Sequence, residues 1–174
     1  MHGRSHLSLI LIVVPFFLSA ALAQQQTPTK STATCDFDAD KQLAVEYLPF
    51  SVAAKKPVFG HQVPYDEVWA PGGKPLTLFV NSPVSIGQAN LPLGAYTMFV
   101  IPDEKHWSLV ISKSTDTSGK YDASKDLARV RMEYGELPSA ENQFSVYFAH
   151  VAPKQCNMRI DLAKSRAWVA FQEK

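Results

Sequence analysis

The sequence predicts an all-β protein, an antiparallel β-sandwich or jelly roll of about eight or nine short strands with at most a helical turn or two. Apolar and polar residues alternate with period two at short intervals, which is typical of half-buried strands. No long window sustains the 3.6-residue period of a helix, and turn-forming residues recur at about 10-residue spacing. A closed barrel of the same strands is the alternative architecture.

The first 23 residues predict a secretory signal peptide. Arg4 precedes an apolar run over residues 7–18, and Ala21 and Ala23 supply small residues at the positions that a signal peptidase reads. Cleavage is expected between Ala23 and Gln24, so the protein is predicted to be exported, either periplasmic or secreted. The apolar run is shorter than the roughly 20 residues that span a bilayer, so no stable membrane anchor is expected after signal removal.

Residues 24–35 predict a flexible polar leader, because they lack aromatic side chains and contain Pro28. A single β-sandwich domain is expected over residues 36–174, a length that suits one hydrophobic core.

Nine stretches define the predicted strands. They include the faces Leu43, Val45, Tyr47; Leu76, Leu78, Val80; Val84, Ile86; Tyr96, Met98, Val100; Trp107, Leu109, Ile111; and Ala128, Val130, Met132, Tyr134, followed by residues 144–151, 158–162 and 167–171. Residues 87–90 and 114–120 are rich in turn formers and predict a turn and a polar loop. One helical turn is allowed at Asp122.

Residues 49–75 interrupt this pattern. The segment carries five prolines, at positions 49, 57, 64, 71 and 75, and no long alternating run. It is expected to be a structured excursion from the sandwich, and long loops of this kind are often functional.

Cys35 and Cys156 are the only two cysteines. In an exported chain they predict one disulfide that ties the start of the domain to its closing strands. Two unpaired thiols are the alternative.

The charge balance narrows the choice of partners. The chain has 17 Lys and Arg against 16 Asp and Glu, and loss of Arg4 with the signal would make the two numbers equal. Such a chain has no field that attracts a polyanion, so nucleic acid is not expected as a partner. The partner is therefore expected to be a small molecule, a glycan or a protein.

No motif in the sequence strongly indicates catalysis. His61, His106 and His150 could serve a metal, but their spacing from Cys156 and Met158 does not fit a copper loop, and no cofactor or metal is predicted. The chain has no Gly-x-Ser-x-Gly motif and no phosphate-binding glycine loop. We therefore predict no catalytic residue.

Aromatic residues of the excursion are the better candidates for ligand contact. Tyr65 and Trp69 lie four residues apart, with His61 four residues earlier, and flat rings on a β-sandwich are a common means of binding sugars or peptides. The alternative is that both rings fold back as a plug over the open end of the sandwich. Trp107 and Trp168 are expected to be core residues.

Several motifs occur together in the order of one known family. They are Val58-Phe59-Gly60; Val63-Pro64-Tyr65; Val68-Trp69; Leu91-Pro92-Leu93-Gly94-Ala95-Tyr96; Phe99-Val100-Ile101-Pro102; residues 107–113; and Tyr121-Asp122, Asp126, Arg129-Val130. Over residues 36–171 the chain resembles the bacterial exported family called domain of unknown function 2911. The resemblance implies an exported, β-rich domain and brings no activity with it.

The chain departs from that family directly after Trp69. Family members continue with Arg, Thr, Gly, Ala, Asn and Glu, whereas this chain has Ala70-Pro71-Gly72-Gly73-Lys74-Pro75. If the family uses the Arg, Asn and Glu in a ligand site, this chain lacks them.

Two functional hypotheses follow. The first is a non-catalytic binding or structural module of the bacterial cell envelope, with the excursion as its contact surface. The second is a periplasmic hydrolase or a metal-dependent enzyme that uses His61, His106 or His150.

Overall fold

The computed structural model describes residues 29–38, 40–53 and 56–174. The predicted signal peptide and its cleavage pair, Ala23 and Gln24, lie outside the described residues. Ten strands occur in the described part of the chain: β1 Ser31–Asp38, β2 Lys41–Tyr47, β3 Leu76–Val80, β4 Val84–Ile86, β5 Ala89–Leu91, β6 Gly94–Ile101, β7 Ser108–Ser112, β8 Asp126–Arg131, β9 Glu133–Ala152 and β10 Gln155–Glu173. Two single 3₁₀ turns, Pro71–Gly73 and Ala123–Lys125, complete the secondary structure.

The strands form two antiparallel sheets. The larger sheet has the order β1-β2-β3-β6-β7-β8, and the smaller sheet has the order β5-β4-β10-β9. This arrangement confirms the all-β sandwich that the alternating pattern predicts. In the described residues no helix has the length and apolar character needed to cross a membrane.

The hydrophobic core lies between the two sheets. Its largest fully buried side chains are Trp107, Phe144, Phe171, Leu43, Leu76, Leu78, Ile86, Leu91, Met98, Leu109 and Ile111. All of these residues except Leu91 come from the predicted strands, and Trp107 is a core residue as expected. The 3₁₀ turn at residues 123–125 begins where a helical turn was allowed, and the Asp122 side chain caps it by accepting from the Ser124 amide.

Two strands occur where the sequence indicated a leader and a turn. Strand β1 starts at Ser31, so the last residues of the expected leader pair with β2 from Ser31 opposite Tyr47 onward. Strand β5 includes Asn90 of the expected turn and pairs with β4. Both segments are polar, and tertiary pairing gives them a strand conformation that their composition does not indicate.

The last strand changes direction in its middle. Ala163 has a φ of 54° and lies between two irregularities in the pairing of β10 with β9. The Asp161 side chain contacts Arg166, and the Glu173 amide donates to the Lys154 carbonyl at 2.8 Å. Strand β10 therefore turns back at Ala163, and its two halves correspond to the predicted strands 158–162 and 167–171.

A disulfide joins Cys35 of β1 to Cys156 of β10, as the sequence predicted. The two Cα atoms lie 6.5 Å apart, and both side chains are buried. Because β1 belongs to the larger sheet and β10 to the smaller, the bond ties the two layers together.

Candidate functional site

Tyr65 of the excursion packs inside the fold's own aromatic cluster. Its ring stacks on Phe59 at a centroid distance of 5.8 Å, and Phe59 packs edge-on against Trp107 at 5.5 Å. Burial raises the pKa of the Tyr65 hydroxyl. The ring is half-buried, and its face toward Phe59 is taken up by this stacking.

Trp69 is held by backbone and side chain together. Its amide and carbonyl exchange hydrogen bonds with those of Val100, at 2.8 and 3.0 Å. The indole packs edge-on against Phe50 and Phe144, each at 5.9 Å. These contacts agree with the alternative interpretation, in which the rings of the excursion fold back onto the sandwich as a plug.

The third candidate, His61, is exposed in the turn that precedes Val63. Val63 is fully buried, and its amide and carbonyl bond to Val58 and Gly60, which fixes this turn. The structure thus places His61 in solvent, while Tyr65 and Trp69 make ring contacts with the protein itself.

The other two histidines have separate surroundings. His106 Nδ1 lies 3.1 Å from Arg131 Nη2, and the His150 ring contacts the carbonyl of Asp36. In the described part of the chain, one group of three potential metal ligands occurs, and it consists of Cys35, Cys156 and His150. No hydrogen bond among the described residues joins a serine hydroxyl to a histidine, so the geometry supplies no Ser-His pair there.

A cleft of about 320 Å³ opens beside the second half of β10. It is lined by Gly87, Val130, Arg131, Glu133, Gln155, Asn157, Trp168, Val169 and Ala170. The fold-back of β10 brings these residues together, since Asn157 precedes Ala163 and Trp168 follows it. The cleft has the size of a small ligand site with one aromatic wall and several polar groups.

Trp168 is the aromatic wall of this cleft, on the outer face of the smaller sheet. Its neighbours Ala167 and Val169 are buried in the core, so the alternation along the strand directs the indole outward. Gly135 on β9 lies under the ring, and a Cβ at that position would come within 3.3 Å of Trp168 Cζ3. The absence of a side chain at residue 135 therefore leaves room for the indole next to the strand.

Trp168 is not the core residue that the sequence predicts, because it is half-buried and lies outside the core. The signal that identifies it was present: with Ala167, Val169 and Phe171 facing inward, period two requires Trp168 to face outward. The hydrophobicity of Trp168 suggests burial, whereas the two-residue alternation along the strand predicts its position correctly.

The polar groups of the cleft can bind hydroxyl groups. Asn157 and Gln155 offer amide donors and acceptors, Glu133 offers a carboxylate, and Arg131 offers guanidinium donors. The Asn157 Oδ1 atom is buried and accepts no hydrogen bond within the described residues. The χ2 torsion of asparagine is soft, so a hydroxyl donor in the cleft can satisfy this oxygen after a small rotation.

A second cleft of about 550 Å³ adjoins the first. It shares Gly87, Val130 and Arg131 with it and adds Gln88, Ala89, Leu127, Ala128 and Arg129. It lies between the β4–β5 turn and β8, the edge strand of the larger sheet. We call the two clefts together the β8 groove.

A charged cluster lies on β9 and β10. Asp161 accepts two hydrogen bonds from Arg166, at 2.8 and 2.7 Å, and these bonds raise the pKa of the Arg166 guanidinium. The Arg159 and Arg166 guanidinium groups lie 5.9 and 5.5 Å from the centre of the Tyr147 ring. These groups pair with one another.

Another cavity, of about 260 Å³, lies where the excursion begins and ends. It is lined by Lys30, Glu46, Tyr47, Leu48, Lys74, Pro75, Thr77 and Thr117, so the segment that departs from the family pattern borders it. Lys30 and Glu46 pair with each other at 3.0 Å, and the Tyr47 ring packs edge-on against Phe144. The β8 groove combines an aromatic wall, Trp168, with a buried acceptor that has no partner among the described residues, Asn157 Oδ1, so it is the better candidate for ligand contact.

Comparisons with known proteins identify a family and add no function. No curated protein and no solved structure matches the chain. One family model matches residues 28–171, nearly the whole described part of the chain. The chain therefore belongs to the family described as protein of unknown function (DUF2911).

Proposed function

We propose that the protein is an exported, non-catalytic binding module of the bacterial cell envelope, and that its ligand is a glycan bound in the β8 groove. The observation that carries this proposal is Trp168, an outward-facing indole at the wall of a cleft that also holds Asn157, Arg131 and Glu133.

The composition of the groove favours a sugar chain over other ligands. An indole offers a flat apolar face with an N–H at its edge, and such rings supply contact area at low cost in conformational entropy. Amide, carboxylate and guanidinium groups around the ring match the mixed donors and acceptors of sugar hydroxyls. The near-zero net charge of the chain suits a neutral or weakly charged polymer.

The balance between indole and polar groups also separates a glycan from an apolar peptide. Four of the residues lining the first cleft have hydrogen-bonding side chains beyond the indole, namely Arg131, Glu133, Gln155 and Asn157. Arg131 already has His106 as a partner. An apolar peptide would offer no hydrogen bond to Glu133, Gln155 and Asn157, and covering these groups unpaired costs binding free energy. The hydroxyl groups of a glycan can serve all three.

The experiment is a binding screen of the purified oxidised protein against soluble fragments of cell-envelope glycans, by thermal shift and then by calorimetry. A ligand present at 100 times its Kd should raise the free energy of unfolding by about 2.7 kcal/mol. Trp168→Ala should weaken binding by about tenfold or more, because loss of an aromatic anchor costs over 1 kcal/mol. Trp168→Phe should retain most of the affinity.

The matched control is Phe79→Ala, which removes another partly exposed ring, on β3 of the larger sheet. Its affinity should equal that of the unchanged protein. The proposal fails if no glycan binds, or if Trp168→Ala and Phe79→Ala bind equally well. Release of shortened glycans during the incubation, seen by mass spectrometry, would instead support the hydrolase hypothesis.

A further inference from the structure

The Cys35–Cys156 disulfide has a histidine beside it. A ring nitrogen of His150 and the two Sγ atoms all lie within 4.8 Å of one another. The two cysteines are buried, whereas His150 is exposed. One side of the group therefore faces the core and the other faces solvent.

Strand pairing explains why the three side chains meet. Cys156 and His150 are directly opposite each other in the β9–β10 pair, and the disulfide brings Cys35 from the edge strand β1. The cluster thus rests on three strands, and backbone hydrogen bonds hold two of its members in register.

The hydrogen bond of His150 leaves one ring nitrogen available. Its Nε2 contacts the carbonyl of Asp36, and a carbonyl can only accept, so Nε2 carries the proton and donates. Nδ1 then keeps its lone pair. Histidines that bind metals usually donate their other N–H to a carbonyl or carboxylate in this way, which fixes the tautomer and the ring orientation.

We propose that reduction of the Cys35–Cys156 disulfide converts this cluster into a zinc site, with two thiolates and the His150 imidazole as ligands and a fourth position open to solvent. Two cysteines and one histidine with an open position form a known zinc ligand set. Zinc bonds of about 2.3 Å to sulfur and about 2.0 Å to nitrogen need ligand atoms under about 4 Å apart, so small side-chain shifts suffice.

Reduction and metal binding are coupled in this site. A phosphine can supply the two electrons: it takes an oxygen atom from water to become the phosphine oxide, and the disulfide takes up two protons to give two thiols. Zinc then replaces both thiol protons. In the oxidised protein the sulfur atoms are bonded to each other and offer no thiolate, so disulfide formation excludes the metal.

The consequence is a metal site gated by redox state, separate from the β8 groove. Zinc binds only the dithiol form, so it shifts the dithiol–disulfide equilibrium toward that form by mass action. At free zinc of about 100 times its Kd the shift is about a hundredfold, which corresponds to about 59 mV for a two-electron couple.

The test measures zinc binding by the purified protein before and after reduction with a phosphine, by competition with a chromophoric chelator. The reduced protein should bind one zinc per chain and the oxidised protein none. Cobalt in place of zinc should give a thiolate charge-transfer band, which reports sulfur ligation directly. His150→Ala should weaken zinc binding at least tenfold.

His61→Ala is the matched control, because His61 is also exposed but lies in the excursion. It should leave zinc affinity unchanged. Equal binding by the reduced and oxidised proteins, or by His150→Ala and His61→Ala, would overturn the proposal. If the reduced chain loses its near-ultraviolet circular dichroism, zinc should restore the signal, and failure to restore it also contradicts the proposal.

Discussion

Trp69 and Trp168 show how two similar residues receive different roles from their surroundings. Trp69 fills a space between Phe50 and Phe144 and shares two backbone hydrogen bonds with Val100. Trp168 lies over Gly135 on the outer face of the smaller sheet. The first contributes to stability, and the second is half-buried and borders the first cleft.

We predict that Trp69→Ala lowers the free energy of unfolding by about 3 kcal/mol, as large-to-small changes at packed aromatic sites do. Trp168→Ala should cost about 1 kcal/mol, a value ordinary for a partly exposed position. Urea unfolding of the two variants beside the unchanged protein measures both effects. Equal losses would show that both rings are structural.

Gly135 determines where the Trp168 ring lies. A methyl group at this position would come within 3.3 Å of Cζ3 and 3.6 Å of Cη2, so Gly135→Ala should push the ring outward by a few tenths of an ångström. We expect severalfold weaker glycan binding with the free energy of unfolding unchanged within about 0.5 kcal/mol. Calorimetry and urea unfolding together test this, and unchanged affinity would mean that the ring position is irrelevant to binding.

At the scale of elements, the reversal of β10 builds the first cleft. It places Asn157 and Trp168 together, and the Asp161–Arg166 pair holds the turn around Ala163. The Asp161 side chain is 6% exposed and has the Tyr147 hydroxyl, at 3.2 Å, as its other partner. Arg166 therefore supplies the opposite charge and most of the hydrogen bonds that stabilise the buried Asp161 carboxylate.

Arg166→Ala should lower the free energy of unfolding by about 3 kcal/mol, because it leaves a buried carboxylate without its cation. Arg166→Lys keeps the charge and loses the two-pronged geometry, so its loss should be smaller. Denaturant unfolding of both variants beside the unchanged protein measures the two losses in free energy of unfolding. A lysine variant as unstable as the alanine variant would show that the two-pronged geometry, and not the charge, carries the stabilisation.

The elements that the sequence predicts well are those with an apolar face. Strands β2 and β3 bury alternate apolar residues, and β6 and β7 are buried along most of their length. Strand β8 alternates half-buried apolar residues with exposed arginines, and these patterns identify all five strands. Strand β1 is not identified by the sequence pattern, because its segment is polar and takes a strand conformation only by pairing with β2. The cleft could not be predicted, since it depends on the reversal at Ala163 and on the distance between Gly87 and β8, which no local pattern encodes.

At the scale of the whole molecule, the two sheets are linked by groups far apart in sequence. Cys35 and Cys156 are 121 residues apart, and this pairing could be predicted because the chain has no other cysteine. Glu173 of the smaller sheet pairs with Lys41 of the larger sheet, and with Lys154 at 3.0 Å. The pairing of Glu173 with these two lysines could not be predicted from the sequence. The chain has many acidic residues and lysines, and only the fold determines which of them meet.

The Glu173 cluster makes stability depend on pH. Hydrogen bonding to Lys41, and then to Lys154, lowers the pKa of Glu173 below its ordinary value of 4.5. The folded state therefore holds the proton less tightly than the unfolded state, so Glu173 contributes stability above pH 4.5 that is lost as the pH falls through the lower, folded-state pKa. The pH window for this loss lies at and below 4.5.

We predict that Glu173→Gln lowers the urea midpoint at pH 7 and flattens its decline on acidification, because the variant has no carboxylate to protonate at this position. Asp116→Asn is the control: hydrogen bonds from Ser118 also lower the pKa of Asp116, but this residue lies in an exposed loop and links no sheets. Its midpoint at pH 7 should stay close to that of the unchanged protein. Urea titrations at pH 3, 4, 5 and 7 compare the three proteins. If Glu173→Gln shows the same acid slope as the unchanged protein, the link between the sheets does not rest on this carboxylate.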